Sequence, residues 1–357
     1  MNNKARNIFF AFGLVAVIIM LFTFKVSFAQ LWQDVTQAGY WLIAILGLWG
    51  VLYTMNAWTW RIIIRGSGDC PIPFWRLLKI TITGFALNYA TPVGLMGGEP
   101  YKIMELKPFI GTQRATSSVL LFAMMHIFSH FWFWATSIVV YAILSLLGDL
   151  SMGIGMSIIL LLMLLFCSGG IYLISRGYKT GMVVRLIRML SHFPGLKRYT
   201  RSLIEKHKDD RHNIDQQIAA LHSQNKRSFY ISFMLEYVGR LMQSFEIYFM
   251  LILFDAGDGG MQTFIYSFLI LSFTSLFANL LFFMPLQLGG REGGFAMSVA
   301  QMGMTRNIGM FVSIICRVRE LFWTAIGLLL MKVGNTKPLC EGNDSNTHQP
   351  TPPTQGQ

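Results

Sequence analysis

Charge is what this chain has least of. Lys, Arg, Asp and Glu make up 13% of its 357 residues, and only 17 of them are acidic. A soluble domain carries roughly 25% charged residues, so an ordinary water-facing surface is excluded. Cysteine is sparse as well. Cys70, Cys167, Cys316 and Cys340 are scattered with no Cys-x-x-Cys pair, which points away from a disulfide framework and from a zinc site. There is no His-Glu-x-x-His, no Gly-x-Ser-x-Gly, no phosphate loop ending in Lys-Ser/Thr and no dinucleotide fingerprint. No catalytic residue, metal or cofactor is therefore expected, and the chain reads as a non-enzyme.

What is abundant is apolar. Hydrophobic residues reach 54%, with 29 Phe and 22 Met, and the mean hydropathy is +0.50. Runs long enough for a membrane helix, about 20 apolar residues, lie near 7–25, 40–60, 117–147, 153–175, 228–254, 261–284 and 307–331. The even spacing and strict alternation of a membrane barrel are missing. The expectation is an all-α polytopic membrane protein. Lys4 and Arg6 ahead of an apolar run, with Ser27-Phe28-Ala29 beyond it, resemble a signal peptide. The length of the run and Lys25 near the cleavage region favour an uncleaved anchor.

The net charge of +12 is concentrated. Twelve Lys and Arg fall between Arg176 and Arg227, against Glu205, Asp209, Asp210 and Asp215. The positive-inside rule places loop 176–227 in the cytoplasm, where segments such as 182–190 can meet anionic headgroups. Its membrane-flanking position gives no reason to expect nucleic acid. The turns 148–155 and 255–260 contain no Lys or Arg and read as external.

Two stretches share one pattern. Asn88, Pro92, Gly97-Gly98-Glu99 and Lys102 are echoed by Asn279, Pro285, Gly289-Gly290-Arg291-Glu292. Pro removes a backbone donor and paired Gly weakens a helix, so each stretch marks a break at membrane depth. Such breaks survive only where protein or a cavity satisfies the backbone, and paired breaks point to a transporter's binding site. Charge parity treats the first stretch as a hairpin entering from the cytoplasm near Ile80 and returning near Lys102. A second hairpin, over roughly 264–303, enters from outside, although 261–284 is long enough to cross outright. The resulting architecture has about six full spans plus two re-entrant broken-helix hairpins. The halves, about 1–150 and 151–335, form an inverted repeat with both termini cytoplasmic, and residues 336–357 form a disordered polar tail.

Ionisable residues within spans are costly. Glu236 and Arg240, four apart, are placed to pair on one helical face, with Glu246 beyond them, and Arg317, Arg319 and Glu320 cluster in the last span. They fit a polar cavity for a charged headgroup or interhelical pairing equally well. Arg291, Glu292 and Glu99 are stronger candidates because they also sit at breaks. His126 and His130, one turn apart among aromatics, read as a hydrogen-bonded interior pair rather than a metal site.

The two motifs, in this order on this pattern of spans, resemble the flippase-like integral membrane proteins related to the transmembrane region of lysylphosphatidylglycerol synthase. That resemblance, covering residues up to about 335, implies a bacterial or archaeal inner-membrane protein. In the two-part synthases the region flips the modified lipid. The short tail leaves no place for an aminoacyl-transferase domain, so lipid aminoacylation is not expected. The reading is a transporter moving a lipid or polyprenyl-linked amphiphile with a charged headgroup between leaflets. The substrate-binding residues would be the motif residues with Glu236, Arg240 and Arg317. The alternative is a noncatalytic membrane partner of an envelope-lipid or glycan enzyme.

Overall fold

The computed structural model describes residues 6–11, 14–15, 28–90, 98–180, 226–280 and 290–333. Pro92, Gly97, Pro285 and Gly289 lie outside the described residues. So do most of the expected span at 7–25, residues 181–225 of the basic loop and the tail from 334.

The long helices are α1 (Phe28–Gly66), α2 (Phe74–Ala90), α3 (Gly98–Leu146), α4 (Ile154–Thr180), α5 (Lys226–Leu253), α6 (Met261–Leu280), α7 (Gly290–Gln301) and α8 (Arg306–Leu330). No strand occurs among the described residues. Length and composition suit α1 from Trp32, α3, α4 to Arg176 and α6 for crossing a membrane. The helices α5 and α8, of 28 and 25 residues, are also long enough, but their charges depress the hydropathy. Those charges point inward, since Glu236, Arg240, Glu246, Arg317, Arg319 and Glu320 are all buried. Leu161, Leu162 and Leu165 on α4 are each more than half exposed. Apolar residues outside and ions inside are what lipid as solvent selects.

Two glycines bend the chain at comparable places. In α3, Gly111 (φ 76°, ψ 161°) separates a first arm, Gly98–Ile110, from the long helix that follows. Gly303 (φ 80°) likewise separates α7 from α8. These backbone angles are open to glycine and strained for residues with a Cβ. The first arm of α3 is about 20 Å long and α7 about 18 Å at 1.5 Å per residue, shorter than a hydrocarbon core of about 30 Å.

Contacts at each end of the bundle show where the chain returns. Arg114 Nη2, just past Gly111, donates to the Asp69 carbonyl at 2.9 Å in the α1–α2 connection. Lys79 reaches the Val333 carbonyl, and Lys332 donates to Asn7 Oδ1 at 2.9 Å. Both connections flanking the α2–Gly111 segment, the end of α8 and the amino-terminal segment thus share one end. At the other end, Gln301 donates to Tyr141 Oη at 2.9 Å, and Tyr141 donates to the Ser151 carbonyl at 2.9 Å. Asp258 there accepts the Gly260 N–H (2.8 Å) and the Thr263 hydroxyl (2.9 Å) at the start of α6. These bonds, the Gly260 one foremost, hold its carboxyl below the usual carboxylate range.

The packing repeats when the halves are exchanged. Helix α1 lies along α5; α2 packs on α8 as α6 packs on α3; α1 meets α8 as α5 meets α3. Apolar contacts form two clusters, one around Phe133, Ile247, Phe268 and Val312, the other around Trp60, Leu77, Phe122 and Leu328. Ionisable residues fill the interval between them. On α8, Phe311–Cys316 belong to the first cluster and Leu328 to the second, with Arg317–Glu320 between. On α3, His126 and His130 separate Met125 from Phe133 in the same way.

Candidate functional site

The first motif closes on itself. Gly98 opens α3, and its N–H, which has no intrahelical acceptor, donates to Asn88 Oδ1 at 2.7 Å. Asn88 Nδ2 donates to Glu99 Oε1 at 2.9 Å. One turn on, Lys102 Nζ lies 3.7 Å from the same carboxylate oxygen. Its ammonium sits 4.9 Å from the Phe85 ring centre and 5.3 Å from that of Phe122, where ring quadrupoles replace water. Gly98 fits because α2 runs so close; a Cβ there would lie 2.0 Å from the Gly84 carbonyl oxygen. Thus Asn88, Gly98, Glu99 and Lys102 tie the two arms together.

Tyr89, at the end of α2, reaches α8. Its hydroxyl bonds Glu320 and accepts from Arg317 Nη1 at 2.6 Å. Glu320 also pairs with Arg291, from the first turn of α7. Arg317 Nη2 lies 3.2 Å from Glu292 Oε1. Arg319 bridges outward from the Glu320 carboxylate: its Nη1 lies 3.4 Å from Glu320 Oε1, while Nε (3.0 Å) and Nη2 (3.1 Å) grip Glu246 and the guanidinium sits 3.7 Å from the Trp49 ring centre. Trp49 Nε1 donates to Glu246 at 2.9 Å. Three arginines (Arg291, Arg317, Arg319) thus face three glutamates (Glu246, Glu292, Glu320), so the layer's side chains balance in charge when all are ionised. Balance is what allows ions to persist in a low-dielectric interior.

A second cluster lies between α3 and α5. Glu236 and Arg240 meet through an intermediary rather than as the direct pair expected from their spacing: His126 Nδ1 lies 3.0 Å from Glu236 Oε2, and Arg240 Nη2 donates to His126 Nε2 at 2.8 Å. Arg240 Nε donates to Ser129 Oγ at 3.2 Å. His130 Nδ1 donates to the His126 carbonyl at 3.0 Å, a hydrogen-bonded interior pair as its aromatic setting implied. No group of three potential metal ligands occurs among the described residues.

The expected site residues therefore separate. Arg291, Glu292 and Arg317 share the central layer, Glu236 and Arg240 form the second cluster, and Asn88, Glu99 and Lys102 brace the end of α2 against the start of α3. Gly290 is buried at the start of α7. Asn279 is exposed and donates to the Ser275 carbonyl of its own helix at 2.7 Å, unlike Asn88, which bridges. Tyr89 and Trp49 were not singled out from the sequence. Tyr89 sits inside the first motif, but an aromatic between Asn and Ala reads as packing; Trp49 carries no local signal.

Residues 8–327 match the family described as Lysylphosphatidylglycerol synthase TM region. No curated protein and no solved structure matches the chain. The chain belongs to the lysylphosphatidylglycerol synthase transmembrane-region family and is a multi-pass membrane protein, linked through that family to lipid metabolism or transport.

Proposed function

We propose that this protein moves a lipid or polyprenyl-linked amphiphile with a charged headgroup between leaflets and does not alter it chemically. The observation that carries the reading is the central ionic layer. Tyr89 from the first broken segment and Arg291 and Glu292 from the second meet the buried charges of α8 there, between two apolar clusters. Structural pairing alone is a weak reason to hold six ions at this depth, because the desolvation cost can equal the Coulombic gain.

The transport topology has six full spans, namely the segment near 7–25, the part of α1 after Gly39, the part of α3 after Gly111, α4, α5 and α8. Two re-entrant hairpins, α2 with the first arm of α3 and α6 with α7, enter from opposite sides as an inverted repeat. The short second arms and the return of Arg114 to Asp69 support this arrangement. The end bearing Arg65, Arg76, Lys79, Arg114 and Lys332 is cytoplasmic, in a bacterial inner membrane. The basic loop 176–227 meets anionic headgroups there.

In the transport step, a headgroup phosphate competes with Glu320 and Glu292 for Arg291 and Arg317, whose planar guanidinium groups suit it. The helix start at Gly290 adds partial positive charge. Because those arginines are now held by protein carboxylates, this conformation is the closed one. A specific observation favours a second reading, a noncatalytic partner of an envelope-lipid enzyme: the cleft beside Glu236 holds about 10 Å³, the space of roughly one water, as in a passive anchor.

Reconstitution separates the two. Liposomes containing the purified protein and headgroup-labelled lipids of anionic, zwitterionic, cationic and polyprenyl-phosphate type should show movement of at least one class faster than protein-free vesicles. A passive anchor leaves every class at the protein-free rate.

A further inference from the structure

The Glu236 cluster has a role of its own. Glu236 is only 5% exposed, and its Oε1 is buried with no hydrogen-bond partner among the described residues. It lines a cleft with Asn56 and Thr59 of α1 and Arg240 and Gln243 of its own helix. Buried carboxylate oxygens are rarely left unsatisfied, and the cleft that Glu236 lines has space for about one water.

The partners fix the protons around it. Arg240 has donors only, so His126 Nε2, 2.8 Å from Arg240 Nη2, is an acceptor. His126 therefore carries its proton on Nδ1 and donates to Glu236 Oε2 at 3.0 Å. Glu236 is the acceptor there, and its second oxygen is the open position. The charged and titratable groups that face it are few. Helix α3 supplies His126, His130 and Lys102; α5 supplies Arg240, with Glu246 further along held by Arg319 of α8. Helix α1 presents Asn56 and Thr59 at the cleft, and α6, also packed on α5, contains no Asp, Glu, Lys, Arg or His.

We propose that Glu236 is a proton-binding site that couples the transport cycle to the proton gradient, loaded through the α1–α5 cleft. A hydronium ion in the cleft gives its proton to Glu236 Oε1 and leaves as water, while Oε2 keeps the His126 hydrogen bond. Loading removes the negative charge opposing Arg240 and Lys102. Lys102, held by Glu99 at 3.7 Å, carries the change to the tip of the first hairpin. The coupling rests on the transport reading; proton binding itself does not.

The test has two measurements on the full-length protein in lipid. Infrared difference spectra between acidic and neutral buffer should show the C=O stretch of a protonated carboxyl that E236Q removes and E236D shifts. E236D also covers the case in which E236Q fails to fold. Lipid movement in vesicles with an imposed pH gradient should change by up to about tenfold per pH unit for a single coupled proton, and E236Q should abolish that dependence. If the band belongs to Glu236 but no lipid moves, the proton site stands and the transport reading falls. A wild-type spectrum with no such band, or a band unchanged in both variants, overturns the proton site. Lipid movement that is indifferent to the pH gradient, or responds to sodium alone, overturns the coupling even where the band belongs to Glu236.

Discussion

Arg291, on the first turn of α7, is ion-paired with Glu320 in the middle of α8. This contact joins the start of α7 to α8, and Tyr89 extends it to the end of α2. Loss of the planar fork should matter even where charge is kept. Arg291→Lys should slow lipid movement about tenfold or more while the protein remains folded, and Arg291→Ala should slow it further. Initial rates in proteoliposomes, read beside the melting temperature of the same samples, check this.

Glu246 should behave in the opposite way. It accepts two parallel bonds from Arg319 and one from Trp49, linking α8, α5 and α1. Glu246→Gln removes the bidentate carboxylate from a buried guanidinium and leaves Arg319 only the Glu320 oxygen 3.4 Å from its Nη1, at a cost of up to about 3–5 kcal/mol. Thermal unfolding in detergent should register a large fall in Tm, with activity lost in step with folded protein.

Gly98→Ala tests the close approach of the arms. With the Gly84 carbonyl oxygen 2.0 Å from the added Cβ, the arms must separate, costing roughly 1–3 kcal/mol. The Gly98–Asn88 bond should weaken with it. Hydrogen exchange should show lost protection at the start of α3, whereas Gly111→Ala, with no atom within 4 Å of its Cβ, should act through backbone strain alone.

Topology is checked by thiol labelling. In otherwise cysteine-free protein, Cys340 and single cysteines placed in 176–227 should react only from the cytoplasmic side, and cysteines at 148–155 or 255–260 only from outside. Reaction of Cys340 from outside would remove the inverted repeat.

The helical class and most element positions were legible because lipid as solvent imposes long apolar runs. The ends of α2 at Ala90 and α6 at Leu280 and the starts of α3 at Gly98 and α7 at Gly290 flank the two Pro/Gly motifs, whose central residues lie outside the described ones. Buried charges on α5 and α8 could be seen as ions at membrane depth, but their partners could not. Glu236 and Arg240 satisfy the i,i+4 spacing, yet His126 on α3 offers both of them better geometry. Trp49 and Tyr89 owe their roles to residues 197 and 231 positions away, a distance at which sequence pattern carries no contact information. The motif Asn residues illustrate the same limit. Both lie within two residues of the end of a helix, but the start of α3 packs against Asn88 and Asn279 bonds its own helix.

The most direct test of the central claim is the rate at which headgroup-labelled lipid crosses vesicles containing wild-type protein, compared with matched vesicles containing folded Arg291→Lys. Wild type should accelerate at least one headgroup class well above protein-free vesicles, and Arg291→Lys should lose most of that acceleration. Wild-type vesicles indistinguishable from protein-free ones across all four classes, or a folded Arg291→Lys as fast as wild type, would contradict the claim.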